Sequence, residues 1–169
     1  MAHKLRGELY RRLRVLLDRT GRPWVMYLSS ANHETTSIED IADVSREMSQ
    51  WIPEGLYFLG NLSDVAVFNV LRRATFFAAF FESGVRANNG SVSAAMEHGA
   101  VVITNLDEHS PAEFVHMYNV IDIGQGDELP LDPGVLGRIS QNAVRTSRGR
   151  GFPALVERMR QGLSPTVGS

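Results

Sequence analysis

Two segments of this sequence are apolar almost without a break: residues 75–81 (TFFAAFF) and 100–104 (AVVIT). A strand with one wet face alternates apolar and polar residues. A strand that is apolar on both faces must be covered on both, which is the condition of a parallel sheet held between helices. The rest of the chain is arranged to supply that cover. Leu5, Leu9, Leu13, Leu16 and Leu17 recur at helical spacing over residues 4–19, and Gly21 and Pro23 stop the run. Residues 24–28 read as a strand. A capping box, Thr36 with Glu39, opens a helix whose stripe is Ile38, Ile41, Ala42, Met48 and Ile52. Further strands are expected at 56–59, 75–81, 100–104 and 120–123. Further helices are expected at 64–73, from 91 to 97, at 112–117, from 132 or 133 to about 145, and at 152–161.

Strand and helix thus alternate through the chain with short connections. Right-handed crossovers turn that alternation into a Rossmann-like, doubly wound α/β fold: a parallel sheet of about five strands with helices on both faces. Five strands are too few for an eight-stranded barrel. The expected organisation is a basic amphipathic helix over residues 1–22, a single α/β domain over 23–162 and a frayed tail over 163–169.

Composition narrows the chemistry. The 169 residues contain no cysteine, which removes disulfides and thiolate metal sites, and the five histidines show no H-x-x-x-H or H-E-x-x-H spacing. No metal and no resident cofactor is expected. No apolar run approaches the ~18 residues of a membrane span, and the chain start lacks a secretory h-region, so a cytoplasmic protein is expected. The first 22 residues carry seven basic and two acidic side chains, against ten basic and seventeen acidic in the remainder. A helix so charged either docks on the acidic body or lies peripherally on an anionic membrane surface; docking is the favoured expectation. The basic stretch of Arg145, Arg148 and Arg150 lacks interleaved aromatics, so no nucleic-acid partner is expected.

In an open parallel sheet, ligands bind outside the carboxyl ends of the strands. Four polar segments leave such ends: 29–35, 60–63, 82–91 and 105–110. The most informative is Glu82-Ser-Gly84-Val85-Arg86-Ala-Asn88-Asn89-Gly90-Ser91, which runs into a helix of small residues. Gly84 and Gly90 permit positive φ or close approach. The free N–H groups at the helix start make an anion site suited to phosphate. Arg86 adds a bidentate phosphate contact, Ser91 caps the helix or donates to a phosphate oxygen, and Glu82 is placed to reach a sugar hydroxyl. The bland alternative is a glycine-rich turn with a serine cap. His33 and Glu34 in the first loop, and His98 before Gly99 at a helix end, are weaker candidates, more simply read as solvated or structural. Phe76, Phe77, Phe80 and Phe81 read as core. The motifs G-x-G-x-x-G after a first strand, G-x-x-x-x-G-K-[ST] and G-x-S-x-G are absent.

Leu59-Gly60-Asn-Leu62-Ser-Asp64, the helix ending at Ala74, the 75–81 strand, Gly84-Val-Arg-Ala-Asn-Asn-Gly90-Ser91 and Ala94-Ala-Met-Glu-His98-Gly99-Ala-Val-Val-Ile-Thr104 together resemble the C-terminal, donor-binding domain of glycosyltransferases of the GT-B fold. The resemblance covers residues 56–111 and adds Gly60 to the candidate contacts. It implies a domain that binds a nucleotide-diphosphate sugar as donor substrate, for transfer to an acceptor held by an N-terminal half that 169 residues leave no room for. Three departures stand out. Arg86 and Ala94 occupy the carboxylate positions of the family's E-x7-E pattern, Asn88-Asn89 replaces a pair of arginines, and Val101 replaces a proline. The alternative class is a non-catalytic nucleotide-binding or protein-interaction module that keeps the fold. No catalytic residue is assigned, and no sugar transfer is expected of this chain alone.

Overall fold

The computed structural model describes residues 7–30 and 38–150. Among these described residues, five helices and five strands follow in the order α1 (Gly7–Arg19), β1 (Met26–Ser30), α2 (Ile38–Trp51), β2 (Leu56–Asn61), α3 (Asp64–Arg73), β3 (Phe76–Ala78), α4 (Gly90–Glu97), β4 (Val101–Thr104), β5 (Ile121–Asp122) and α5 (Pro133–Arg150). Every strand pairing is parallel. The alternation of strand and helix with parallel pairing is the Rossmann-like arrangement that the two apolar strands demand.

The hydrogen-bond ladders divide the expected sheet in two. β1 pairs with β2, and β3, β4 and β5 form a separate three-stranded ladder in that order. The two groups still share one core. Tyr10, Leu13 and Leu16 of α1 and Met48, Trp51 and Ile52 of α2 pack with Phe80, Val101, Ile103 and Ile121, and Met26, Leu28 and Leu56 adjoin the same cluster. The opposite face of the three-stranded sheet packs on a second cluster, in which Leu71 of α3 and Val92, Ala95 and Met96 of α4 meet Val102, Val120 and Ala143. Val101 and Ile103 of β4 face the first cluster and Val102 the second, and all four residues of the strand, Thr104 included, are buried.

Helix α1 is docked. Its Tyr10, Leu13 and Leu16 are buried, Tyr10 stacks on Trp51 and meets Phe80 edge-on at 4.8 Å. Burial pushes the Tyr10 hydroxyl up to about 12. The apolar stripe is therefore committed to the core, and the outward face carries Arg11, Val15 and Asp18. Among the described residues no helix is long and apolar enough to cross a membrane.

Several elements differ from the sequence reading. The 75–81 strand keeps a ladder only over Phe76–Ala78, because Asn105 takes over beyond it: its Oδ1 accepts from Phe81 N–H (2.9 Å) and its Nδ2 donates to Phe81 C=O (2.8 Å). No helix forms over 112–117. The Asn119 amide, fully buried, captures the local backbone instead, accepting from Val115 N–H and donating to Glu113 C=O and Thr146 Oγ1. Met117 sits there at φ 58. The β5 strand is shorter than 120–123, α5 runs five residues past Arg145 to Arg150, and Ala42 is exposed. Leu5, Thr36, and the 152–161 helix lie outside the described residues.

Candidate functional site

The carboxyl ends of β3 and β4 are welded together by side chains. Val85 N–H donates to Asn105 C=O (3.0 Å). Thr104 Oγ1 donates to Ala79 C=O (2.9 Å). Arg86 and Asp107 form a two-armed ion pair, Nη1 to Oδ1 at 2.7 Å and Nη2 to Oδ2 at 2.9 Å. Asp107 also accepts from His109 N–H and Ser110 Oγ–H. The Arg86 guanidinium holds the Asp107 carboxyl well below the usual carboxylate range, helped by those two donors, and the same hydrogen bond raises Arg86. Both partners stay ionised at any physiological pH.

Gly84 explains itself in this setting. Its φ is +75, and a Cβ built there would meet the Asp107 carboxyl at 2.6–2.8 Å. The close approach anticipated for a ligand is thus made by Asp107. The guanidinium fork anticipated for a phosphate is likewise engaged by Asp107. Asn89 is the N-cap of α4, not Ser91, and its side chain makes no capping bond to the helix. Its Oδ1 accepts from Arg86 N–H instead (2.5 Å). Gly90 and Ser91 therefore open α4, both exposed, and a Cβ on Gly90 would meet open space. An uncapped helix start presents N–H groups with partial positive charge to whatever occupies that space. Asn88 and Glu82 are exposed beside it, and Val85 is fully buried beneath it.

A third strand end joins this edge. Asp122, 5% exposed, ends β5, and its Oδ1 accepts from both Leu106 N–H (3.2 Å) and Gly124 N–H (3.0 Å). Its Oδ2 accepts from Gln125 Nε2 (2.9 Å). His116 Nδ1 accepts from Asp122 N–H, which makes Nδ1 the unprotonated ring nitrogen. Sequence reading singled out neither Asp107 nor Asp122 nor Asn105. Asp107 lies 21 residues from Arg86 and Asp122 lies 16 from Leu106, so no local pattern announces either contact. The one available signal was a short acidic and hydroxyl-rich run following a buried strand.

Of the four expected loops, 82–91 and 105–110 are joined directly. Gly60 lies in β2, not after it, at φ +67 with open space where a Cβ would stand, and it is paired in register with Ser29 across a bulge. Beyond β2, the Ser63 side chain accepts from Ala66 N–H and caps α3. His33 and Glu34 lie outside the described residues. His98 is the C-cap of α4, its ring edge against Phe68 at 4.9 Å. Phe80 and Phe81 are core, as their burial shows. Among the described residues no cluster of histidine and carboxylate side chains is suited to a metal ion.

No sequence-family profile matches the chain, and neither does any curated protein sequence. Solved structures do. The chain is similar to Anabaena Alr3699/HepE in complex with UDP and glucose, with a TM-score of 0.65 at 16% identity, over 97% of this chain and 46% of that one. It is similar to a glycosyltransferase from Rickettsia africae ESF-5 (TM-score 0.63, 11% identity, 93% of this chain, 43% of that). It is also similar to AviGT4, a glycosyltransferase involved in avilamycin A biosynthesis (0.57, 16%, 94% and 46%). The chain spans under half the length of these proteins. The chain shares its fold with one part of each of these structures.

Proposed function

We propose that this chain is a nucleotide-sugar-binding domain of glycosyltransferase type, which takes the diphosphate of its ligand at the start of α4. One observation carries the reading. The α4 N-terminus has no side-chain cap and faces open space at Gly90, at the carboxyl edge of the sheet. The fold it shares with a protein solved in complex with UDP-glucose supports the choice of anion. In this reading Gly90 and Ser91 contribute backbone N–H groups and the Ser91 hydroxyl. Val85 supports the loop from below, Asn88 and Glu82 flank the ligand, Gly60 lines the neighbouring strand end, and Arg86 and Asn89 hold the loop in shape. Acceptor binding and transfer belong to a second half, so the chain alone binds donor without transferring it.

Titration calorimetry with UDP, GDP and their sugar conjugates tests the reading. Binding of at least one at millimolar concentration or tighter is expected; silence with all of them overturns it. Gly90→Glu places a carboxylate in open space, so folding should survive while diphosphate binding falls about tenfold or more. Uridine binding should change far less.

The second reading is a binding module without catalysis. It is favoured by Arg86 and Ala94, which stand where the resemblance expects carboxylates, and by the engagement of Arg86 with Asp107. Turnover of a nucleotide sugar once the chain is combined with a complementary half would exclude it.

A further inference from the structure

Among the described residues, side-chain hydrogen bonds of very long sequence range leave α1. Arg12 Nε donates to Ile123 C=O at 2.7 Å, and its Nη2 donates to Gly126 C=O at 2.9 Å and approaches Asp127 Oδ1 at 3.4 Å. Those two carbonyls bracket Gly124, whose N–H donates to Asp122 Oδ1. The same oxygen accepts from Leu106 N–H, and the next residue, Asp107, holds Arg86 at the mouth of α4. Residues 124–128 are all exposed, so the turn is not held by burial. Arg12, by contrast, sits on a helix anchored by three buried side chains.

We infer that Arg12 is a positioning residue for the carboxyl edge: it ties the turn after β5 to α1 and thereby fixes the Asp122 carboxylate that sets the height of the Leu106–Asp107 segment. The ligand consequence rests on the nucleotide-sugar reading above; the positioning itself does not. The planar fork reaches the two carbonyls from separate nitrogens, Nε and Nη2, a geometry that the single ammonium of a lysine does not reproduce. Loss of the fork frees the turn and withdraws Gly124 N–H from Asp122. A nearly buried carboxylate oxygen then depends on Leu106 N–H alone, and the segment bearing Asp107 shifts to follow it.

The test compares Arg12→Gln, Arg12→Lys and Arg19→Ala in the full chain. Arg19 also reaches this region, but by one long bond to Asp127 C=O (3.3 Å). Amide hydrogen exchange is read at Gly124, Leu106 and His109, and UDP affinity by calorimetry. In Arg12→Gln, Gly124 and Leu106 should exchange about tenfold faster, and His109 should follow, while α2 and β4 amides keep their wild-type rates. Arg12→Lys should restore part of the protection, and Arg19→Ala should match wild type. UDP affinity in Arg12→Gln should fall about fivefold. Unchanged exchange at Gly124 and Leu106 overturns the inference, as does uniform acceleration across the domain, which would make Arg12 a general stabiliser. If UDP binds no variant and not the wild type, the nucleotide reading fails, and the exchange data still decide the role of Arg12. If UDP binds wild type and Arg12→Gln equally while exchange at the turn rises, the link from the turn to the ligand edge is broken and the inference falls.

Discussion

The two ladders end in opposite conditions. β4 is sandwiched between two clusters and wholly buried. β1 and β2 bury Met26, Leu28 and Leu56 toward the α1–α2 side, but their other face carries Tyr27 and Tyr57, each 55% exposed and with rings 6.0 Å apart. Among the described residues this parallel pair is covered on one side only, an arrangement that is unusual. The carboxyl ends of the second ladder are also cross-linked. The β3–β5 ends are joined by Asn105, Thr104, Asp107 and Asp122, each bonding to a neighbouring strand end or loop. Burial on both faces and polar locking of the loops go together in this half of the sheet.

The sharpest way to break this comparison is to remove packing from each side. Ile103→Ala, between the sheet and the α1–α2 cluster, should cost about 2–5 kcal/mol by urea denaturation and leave the domain unfolded or nearly so. Equal tolerance of Ile103→Ala and Tyr57→Ala would erase the distinction. The next largest effect is expected at Gly84. An alanine there must adopt positive φ and overlap the Asp107 carboxyl, at a cost of about 1–3 kcal/mol. A neutral Gly84→Ala would mean that the 82–91 loop is free to move.

A smaller, pH-dependent effect distinguishes the Arg86–Asp107 lock from ordinary packing. Asp107 is depressed when folded, so the stability it contributes is complete above its unfolded value of about 3.8 and is lost as pH falls below it toward the lower folded value. Stability measured from pH 5 down to pH 2 should therefore fall more steeply for the wild type than for Asp107→Asn. Parallel slopes would show that the pair adds nothing beyond its exposed-surface strength. The smallest effect is expected on the face that carries Tyr27 and Tyr57. Tyr27→Ser and Tyr57→Ala should each change stability by about 1 kcal/mol or less; a larger loss would show that this face is covered in solution.

The carboxyl-edge site was half legible. Residues 82–91 declared themselves through Gly84, Gly90 and the small-residue helix that follows, because glycine spacing and helix starts are local properties. The roles within it were not legible. Arg86 reads as a phosphate ligand until Asp107 arrives from 21 residues away, and Ser91 reads as the cap until Asn89 takes that place and spends its side chain on Arg86 N–H. The same limit governs the elements. Residues 112–117 have ordinary helical composition, yet Asn119 closes them into turns from outside the segment.

The sequence by itself determined that this chain is a parallel α/β domain, because strands such as AVVIT have nowhere to go except between two layers of helices. It favoured docking of the first helix over a membrane surface, through its leucine stripe, and the fold decided between them: Leu13 and Leu16 are 2% and 4% exposed. Tertiary structure alone decided that the sheet's ladders divide two and three, that Asp107 and not a ligand meets Gly84 and Arg86, and that Arg12 reaches the turn after β5. The physical reason is range. Hydrophobic periodicity is written residue by residue along the chain, whereas a hydrogen bond between Arg12 and Ile123 joins positions 111 residues apart, and only the folded backbone brings its two ends within 3 Å.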